Sequence, residues 1–456
     1  MKKLSKRLVA LLMSMILCFG LCACGGGQNN TTDDDGLITE LSLWFPYGAL
    51  SQEYLKRLVD EYNAMQDTYY IEIQNMGSNV AVRQKLESTL SASDYPDIIC
   101  GQTIATAYYA NANWLKPIQD FIDKEETDWT QGVFKSVRDT YTDLDGNLLG
   151  YPLGVSCSGY WVNVDAIKEA GYTLDDMTSY EKIVEVATAV VDKGICEYGI
   201  SYNEGTVELL DMMTIQGVNY VDGNNGFDGK ITKSLLLKGE TYEAYKKATK
   251  LFAQTYASGI AYEFGTGGAK GFNQFNAGKL SIVYATNSWG HCVFDGEPEF
   301  EYAFIPSVGI DNNAKYLGNV LVEGTGFYMC DTGNEKKMQG AYEFIKFMAQ
   351  PENQSKYCQC LGYVPYTDEA VAQADYQEWM TENLPSSQNI IDKIKNTPSE
   401  LRTPYVEFFD EMLSVTHTLY NYVALDPNFK QDSMETYMKN AAKVMEEGLE
   451  IWLDRQ

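Results

Sequence analysis

Histidine is almost missing: His291 and His417 are the only two among 456 residues. Nucleophilic catalysis built on an imidazole base, or a zinc site built on histidine, would have to use one of them, and neither lies in a recognisable partner motif. Gly-x-Ser-x-Gly, His-Glu-x-x-His and glycine-rich phosphate-loop patterns are absent as well. Arginine is scarce. Beyond residue 23 only Arg57, Arg83, Arg138, Arg402 and Arg455 occur, which argues against bidentate clamping of a phosphate or carboxylate ligand. No basic stripe exists either. Four of the 35 basic residues and none of the 63 acidic ones lie in residues 1–23, so the remainder carries a formal charge of −32. Such a surface repels phosphate backbones and anionic headgroups, so no nucleic-acid partner is expected. Long apolar runs are also lacking after residue 36, and no membrane span is expected there. What these absences leave open is a glycosidase, which needs only two carboxylates.

Cysteine is present but unpatterned. After Cys24 come Cys100, Cys157, Cys196, Cys292, Cys330, Cys358 and Cys360, an odd number with no framework spacing and no CxxC pair, so neither disulfides nor a metal is expected. Most read as small buried hydrophobes, in keeping with a reducing or anaerobic exterior. Tyrosine, by contrast, is abundant at 33 residues, alongside 7 tryptophans. Planar rings with hydroxyls suit a ligand that has apolar faces and polar edges, such as a sugar.

The N-terminus carries an address. Lys2, Lys3, Lys6 and Arg7 precede an uncharged, mostly apolar run from Leu8 to Ala23, too short for the ~20 residues of a spanning helix and patterned as a secretion signal over 1–23. Leu21-Cys22-Ala23-Cys24 resembles a bacterial lipobox, which implies cleavage before Cys24 and lipid attachment to it. Residues 24–36 (CGGGQNNTTDDDG) have no side chain that would repay ordering and read as a flexible linker.

Beyond the linker, apolar periodicity predicts a strand over 37–45, a helix over 50–66, a strand over 69–76, a helix over 80–93 and a short buried strand over 97–101. This β-α-β-α-β order predicts a parallel sheet covered on both faces, with ligand contacts at the strand carboxyl ends. Asp145-Gly146-Asn147 reads as a turn into a strand over 149–152, in preference to a calcium loop. Thr178 and Glu181 have capping-box spacing ahead of a helix. Asn224–Gly229 (NNGFDG) reads as a turn, 242–259 and 335–350 as helices, 280–285 as a strand, and the last third as mostly helical.

Seven segments in order resemble the extracellular solute-binding proteins of the family 1 type, receptors of carbohydrate-importing ABC transporters. They are Leu43-Trp44-Phe45, Val59-Asp60-Glu61-Tyr62-Asn63, Tyr95-Pro96-Asp97-Ile98-Ile99, Tyr151-Pro152-Leu153, Tyr160-Trp161-Val162-Asn163, Phe275-Asn276-Ala277-Gly278-Lys279 and Tyr342–Met348. NNGFDG and Gly362-Tyr363-Val364-Pro365 are similar to segments of the glycerol-3-phosphate-binding branch. The resemblance implies an α/β, two-lobed periplasmic-binding-protein fold of type II with a helical C-terminal region. Lobe 1 would comprise 37–155 plus 285–332 and lobe 2 would comprise 156–284 plus 333–456, with crossings near 155, 284 and 332. It further implies a monomeric, lipid-anchored, non-enzymatic receptor without cofactor that delivers a sugar or oligosaccharide to ABC permease subunits. Where the branch places a ligand-touching tyrosine and glutamate, this chain has Val80 and Thr103, and the branch's late arginine is missing from Tyr420–Asn428. Those departures favour a neutral saccharide over glycerol-3-phosphate or a glycerophosphodiester. An extracellular carbohydrate-active enzyme or an adhesin is the reading from another class.

Ser156, Gly324 and Tyr363 match positions that touch ligand in that branch. Trp289, in Asn287-Ser288-Trp289 after a strand, lies where saccharide-binding relatives place a stacking ring; the competing reading is hinge packing. Asn287 is taken with it. Tyr363 could stack and hydrogen-bond, and Ser156 could donate to a ligand hydroxyl or cap local backbone. Glu323 would accept from sugar hydroxyls, beside Gly324 where backbone approaches closely, unless it is simply solvated. Tyr47 and Gln102 follow strand carboxyl ends. Trp44 and Trp161, inside apolar strand patterns, read as core.

Overall fold

In a computed structural model the described residues are 38–456, apart from 204, 264–268 and 427–428. The expected secretion signal (1–23), the expected linker (24–36) and Cys24 lie outside them. The first strand, β1 (Thr39–Phe45), alternates apolar side chains inward and pairs in parallel with β2 (Tyr69–Asn75). Helix α1 (Ala49–Met65) joins them, burying Leu55, Leu58, Val59 and Tyr62, the i, i+3, i+4, i+7 stripe that a packed helix requires. Helix α2 (Asn79–Ser88) starts where the Ser78 hydroxyl accepts from the Ala81 amide at 3.1 Å. It stops five residues before the sequence predicts, because Ser88 and Thr89 turn their hydroxyls onto the Lys85 carbonyl and compete with the ladder. Strand β3 (Ile98–Gln102) lies parallel to β1 on its other side.

The sheet is mixed where a parallel one was expected. After the short β4 (Leu115–Lys116) and β5 (Gly150–Ser156), the chain leaves through 157 into a second sheet. The turn before β5 forms as predicted, with the Asp143 carboxylate accepting from the backbone of Asp145 and Asn147. Strand β5 itself runs four residues past the predicted end. The second sheet holds β6 (Ser158–Asn163), β7 (Tyr198–Tyr202), β8 (Leu280–Thr286) and β9 (Tyr302–Pro306) in the order β7-β8-β6-β9. Helix α3 (Tyr180–Asp192) packs on β7. Its cap is Ser179, one residue later than predicted, because the Tyr180 amide is drawn to the Gly309 carbonyl at 3.0 Å; a true capping box forms at Thr173 and Asp176. Helix α4 (Gly205–Gln216) packs on β6 and β8, and α5 (Gly239–Ala257) packs on α4 and α3.

Strand β10 (Glu323–Cys330) returns antiparallel between β3 and β5, and α6 (Glu335–Met348) and α7 (Pro351–Leu361) pack on the first sheet and α1. Only then do α8 (Phe409–Tyr420) and α9 (Met434–Leu453) join α4 and α5 on the second. This differs from the expected partition. Residues 302–306 belong to the second sheet, so the return crossing lies between Pro306 and Glu323 and not near 284, and residues 335–361 stay with the first sheet instead of leaving it at 332. Between Ser156, the last residue of β5, and Ser158, the first of β6, the chain passes from the first sheet to the second. Trp161 is fully buried and Trp44 nearly so, both in the core.

The seven cysteines are free thiols, five buried and two partly so. Among the described residues no helix is long and apolar enough to cross a membrane.

Candidate functional site

Strand ends from both sheets converge on a cavity of about 530 Å³. Tyr47, two residues past β1, packs edge-on against Phe45 and donates its hydroxyl to Thr325 Oγ1 at 3.0 Å; burial pushes its phenol well above the usual range. Gln102 ends β3, and Ser156 ends β5, in register with Glu323 at the start of β10. Glu323 Oε2 accepts from the Ser158 hydroxyl at 2.9 Å across the crossing. Gly324 has φ of +144°, and a Cβ there would lie 2.3 Å from the Gly154 carbonyl, so only glycine lets the strands meet.

The Tyr363 ring lies over Gly154, where a Cβ would come within 2.8 Å of it, and stacks on Tyr357 at 5.9 Å and 16°. From the second sheet, Trp289 follows β8 and stands in a row of near-parallel rings with Phe272 and His291, each 6.0 Å away. Tyr47, Gln102, Ser156, Trp289, Glu323, Gly324 and Tyr363 therefore line one cavity.

Asn287 does not. It is fully buried, accepting from the Cys157 amide at 2.8 Å and donating to the Gly362 carbonyl at 2.5 Å. Its work is to tie the crossing at 157 and the end of β8 to the loop that carries Tyr363. Placing it in the site rested on its proximity to Trp289, but its amide faces the hinge. Thr103 lines the cavity, whereas Val80 is half exposed outside it.

His291, Thr286, Ser288, Val207, Leu413 and Thr403 complete the far wall; sequence reasoning missed all six. Thr286, Ser288 and His291 flank Trp289 closely enough that a wider window around it would have found them. Val207, Thr403 and Leu413 come from α4, an irregular strap and α8, and carry no local signal.

Electrostatically the cavity has one sign. Its described lining contains no lysine or arginine. Burial lowers the His291 pKa, leaving the ring neutral at pH 7, and Glu323 is the one acidic residue on the described walls. Behind it, buried Asp211 accepts from the Tyr284 hydroxyl at 2.8 Å and the Ser307 hydroxyl at 3.1 Å, and burial outweighs these bonds to push its carboxyl up to about 6. Glu208, one helical turn away, is raised further by burial. Such a site can hydrogen-bond hydroxyls and stack on pyranose-like faces, but nothing on its walls neutralises a phosphate.

The profile of the family described as "Bacterial extracellular solute-binding protein" matches residues 57–382. The chain is 23% identical over 364 residues to the sn-glycerol-3-phosphate-binding periplasmic protein UgpB of Escherichia coli K12, covering 78% of each chain. To UgpB of Yersinia pestis it is 23% identical over 354 residues, covering 76% of this chain and 78% of the relative. In fold it resembles the sugar-binding protein MalE of Xanthomonas citri, with TM-score 0.71, 18% identity and coverage of 92% and 100% of the two chains. UgpB from Mycobacterium tuberculosis in complex with glycerophosphocholine gives TM-score 0.71, 17% identity and coverage of 90% and 99%. At these identities the likeness to solved structures establishes the two-lobed fold.

Proposed function

The chain belongs to the family of bacterial extracellular solute-binding proteins, and from that premise we propose that its cavity captures a neutral sugar or oligosaccharide outside the cell. The two lobes close on the ligand, and the closed form hands it, chemically unchanged, to the permease of an ABC importer. Differential affinity for the closed form is what converts binding into a signal. The protein acts as a monomer, tethered by lipid on Cys24 after removal of residues 1–23. The observation that carries this reading is the lining itself: the rings of Tyr47, Trp289 and Tyr363 and the Glu323 carboxylate, with no lysine or arginine on the described walls. Relatives named for sn-glycerol-3-phosphate support a second reading in which the ligand is that phosphate or a glycerophosphodiester. The missing cation counts against it, since burying an uncompensated phosphate is costly.

A thermal-shift panel decides between them. Maltose, maltotriose and mannotriose are compared with sn-glycerol-3-phosphate and glycerophosphocholine, each at a large excess. At about a hundredfold over Kd a ligand adds ~2.7 kcal/mol of stability. An upshift with saccharides, with the sugar recovered intact by chromatography, is expected. A response to the phosphates alone overturns the ligand class, and hydrolysed sugar overturns the non-enzymatic role. Incorporation of labelled palmitate that is lost in Cys24→Ser tests the anchor.

A further inference from the structure

We propose that a second, smaller cavity is a binding site for a small oxyanion, organised by Arg402 and separate from the saccharide cavity. Thr403 lines the large cavity; its neighbour Arg402 lines a different one, of about 160 Å³, with Thr214, Asn219, Asn224, Lys315 and Glu400 on its walls. The guanidinium is held flat, with Cζ 4.0 Å over the Phe227 ring. Its hydrogen bonding is far from complete. Nη1 reaches the Asp139 carbonyl at a long 3.4 Å, and Nε, shut away from solvent, has no acceptor among the described residues. Thr214, 5% exposed, carries its Oγ1 in the same condition. Two orphaned polar groups thus border one polar space, a circumstance that native interiors rarely tolerate without an occupant.

Charge narrows what that occupant is. Asp139 is already paired with Lys135 at 2.7 Å, which leaves exposed Glu400 as the carboxylate on the cavity wall against both Arg402 and Lys315. Water would leave that excess charge uncompensated. A guanidinium edge offers Nε–H and Nη–H as parallel donors matched to two oxygens of one carboxylate, sulfate or phosphate, whereas a chloride presents one acceptor atom and matches the fork less well. Lys315, whose ammonium sits 4.7 Å over the Tyr316 ring, adds a point charge, and the Thr214 hydroxyl and asparagine amides supply neutral donors. The NNGFDG turn gains a purpose here. It contributes Phe227 and Asn224, and its Asn225 carbonyl accepts from the Tyr405 amide at 2.8 Å, pinning the strap that carries Arg402.

The test uses the whole secreted chain, residues 24–456, in calorimetric titrations with sodium phosphate, sulfate and acetate against chloride at matched ionic strength. Saturable phosphate binding is expected, and saturation separates it from the general stabilisation by excluded salts. Arg402→Gln and Thr214→Val should each weaken it at least tenfold, while the thermal shift with saccharide is kept. Thr214→Val preserves volume and serves if Arg402→Gln fails to fold. Binding of phosphate and sulfate alone marks a tetrahedral anion; acetate binding as well marks the guanidinium fork as sufficient. Both support the site. Phosphate titrations indistinguishable from chloride, or both variants binding as tightly as the parent, overturn it. Loss of saccharide binding with phosphate binding retained would strike the proposed ligand of the large cavity and leave this site standing.

Discussion

The two walls of the large cavity are built on different physical principles. The first-sheet wall consists of strand ends whose side chains are pinned by long-range bonds: Tyr47 to Thr325, Glu323 to Ser158, Tyr363 over Gly154. The opposite wall is made of a short turn after β8, helix faces and a strap, with Trp289, Val207, Leu413 and Thr403 drawn from four separate segments. One wall is pinned by long-range contacts, the other is assembled from separate segments and mixes Trp289, Val207 and Leu413 with the hydroxyls of Thr286, Ser288 and Thr403. The comparison leads us to expect that the first wall sets which hydroxyl pattern is accepted, while the second completes the proposed site when the lobes close.

The harshest way to break the first wall is Gly324→Val. A side chain there meets the Gly154 carbonyl and must adopt a positive φ, so ligand binding should vanish and Tm should fall by roughly 5–10 °C, as calorimetry with and without sugar would reveal. A ligand-responsive variant of unchanged Tm would refute the close approach. Next in size is Trp289→Ala on the second wall. Losing a ring from the cavity should weaken saccharide affinity about ten- to a hundredfold with the fold intact by circular dichroism. Equal affinity would remove the indole from the site.

Glu323→Gln sharpens the contrast, because it keeps size and one acceptor while replacing the other carboxyl oxygen with an amide. A loss of about five- to tenfold by isothermal titration is expected; no change would mean that the carboxylate faces Ser158 and Asp211 alone. Asp211 supplies a pH signature. Its folded pKa is raised to about 6 by burial, above its ordinary unfolded value near ~3.9, so the folded state holds the proton more tightly. That contribution is fully present below about pH 4 and is lost as pH rises through about 6. Tm of the parent should therefore fall over this window relative to Asp211→Asn, and parallel profiles would contradict it. The smallest effect belongs to Arg83 and Asp410, which pair at 2.6 Å between α2 and α8 on opposite lobes. Asp410 is half exposed, so Asp410→Asn should cost only about 1 kcal/mol and weaken ligand a few-fold by favouring the open form; tighter binding would show that the pair holds the lobes apart.

Legibility in the sequence followed the same division. β1, α1, β2, α2 and β3 are evident from local periodicity; Tyr47 and Gln102 were placed by the rule that sites form at strand ends, and Ser156 only by resemblance to the family. β10 was not seen, since Glu323–Cys330 (EGTGFYMC) has glycine at its second and fourth positions and mimics a loop; it becomes a strand only between β3 and β5. β9 was hidden likewise, five residues ending in Pro306 that hold together through β6. These omissions displaced the expected lobe boundaries. Val207, Thr403 and Leu413 are unremarkable in one dimension, because only tertiary packing brings their segments together. Asn287 shows the converse case, a polar residue beside an aromatic whose amide is taken up by the Cys157 amide and the Gly362 carbonyl and does not line the cavity.

The irregularity in β5 carries a consequence of its own. Along β10 the partners of Gly326 and Thr325 are Pro152 and Gly154, with Leu153 unmatched, at a point where proline has no amide to give. The strand is consequently read in two frames. By simple parity Tyr151 and Ser156, five residues apart, should point to opposite sides. Their partners Phe327 and Glu323 are four apart, which returns both to the same side. One supernumerary leucine thus lies between a half-strand packed in the core and one that ends on the cavity wall. Deleting it would rotate the Gly150–Pro152 half out of the core sooner than it would disturb the serine.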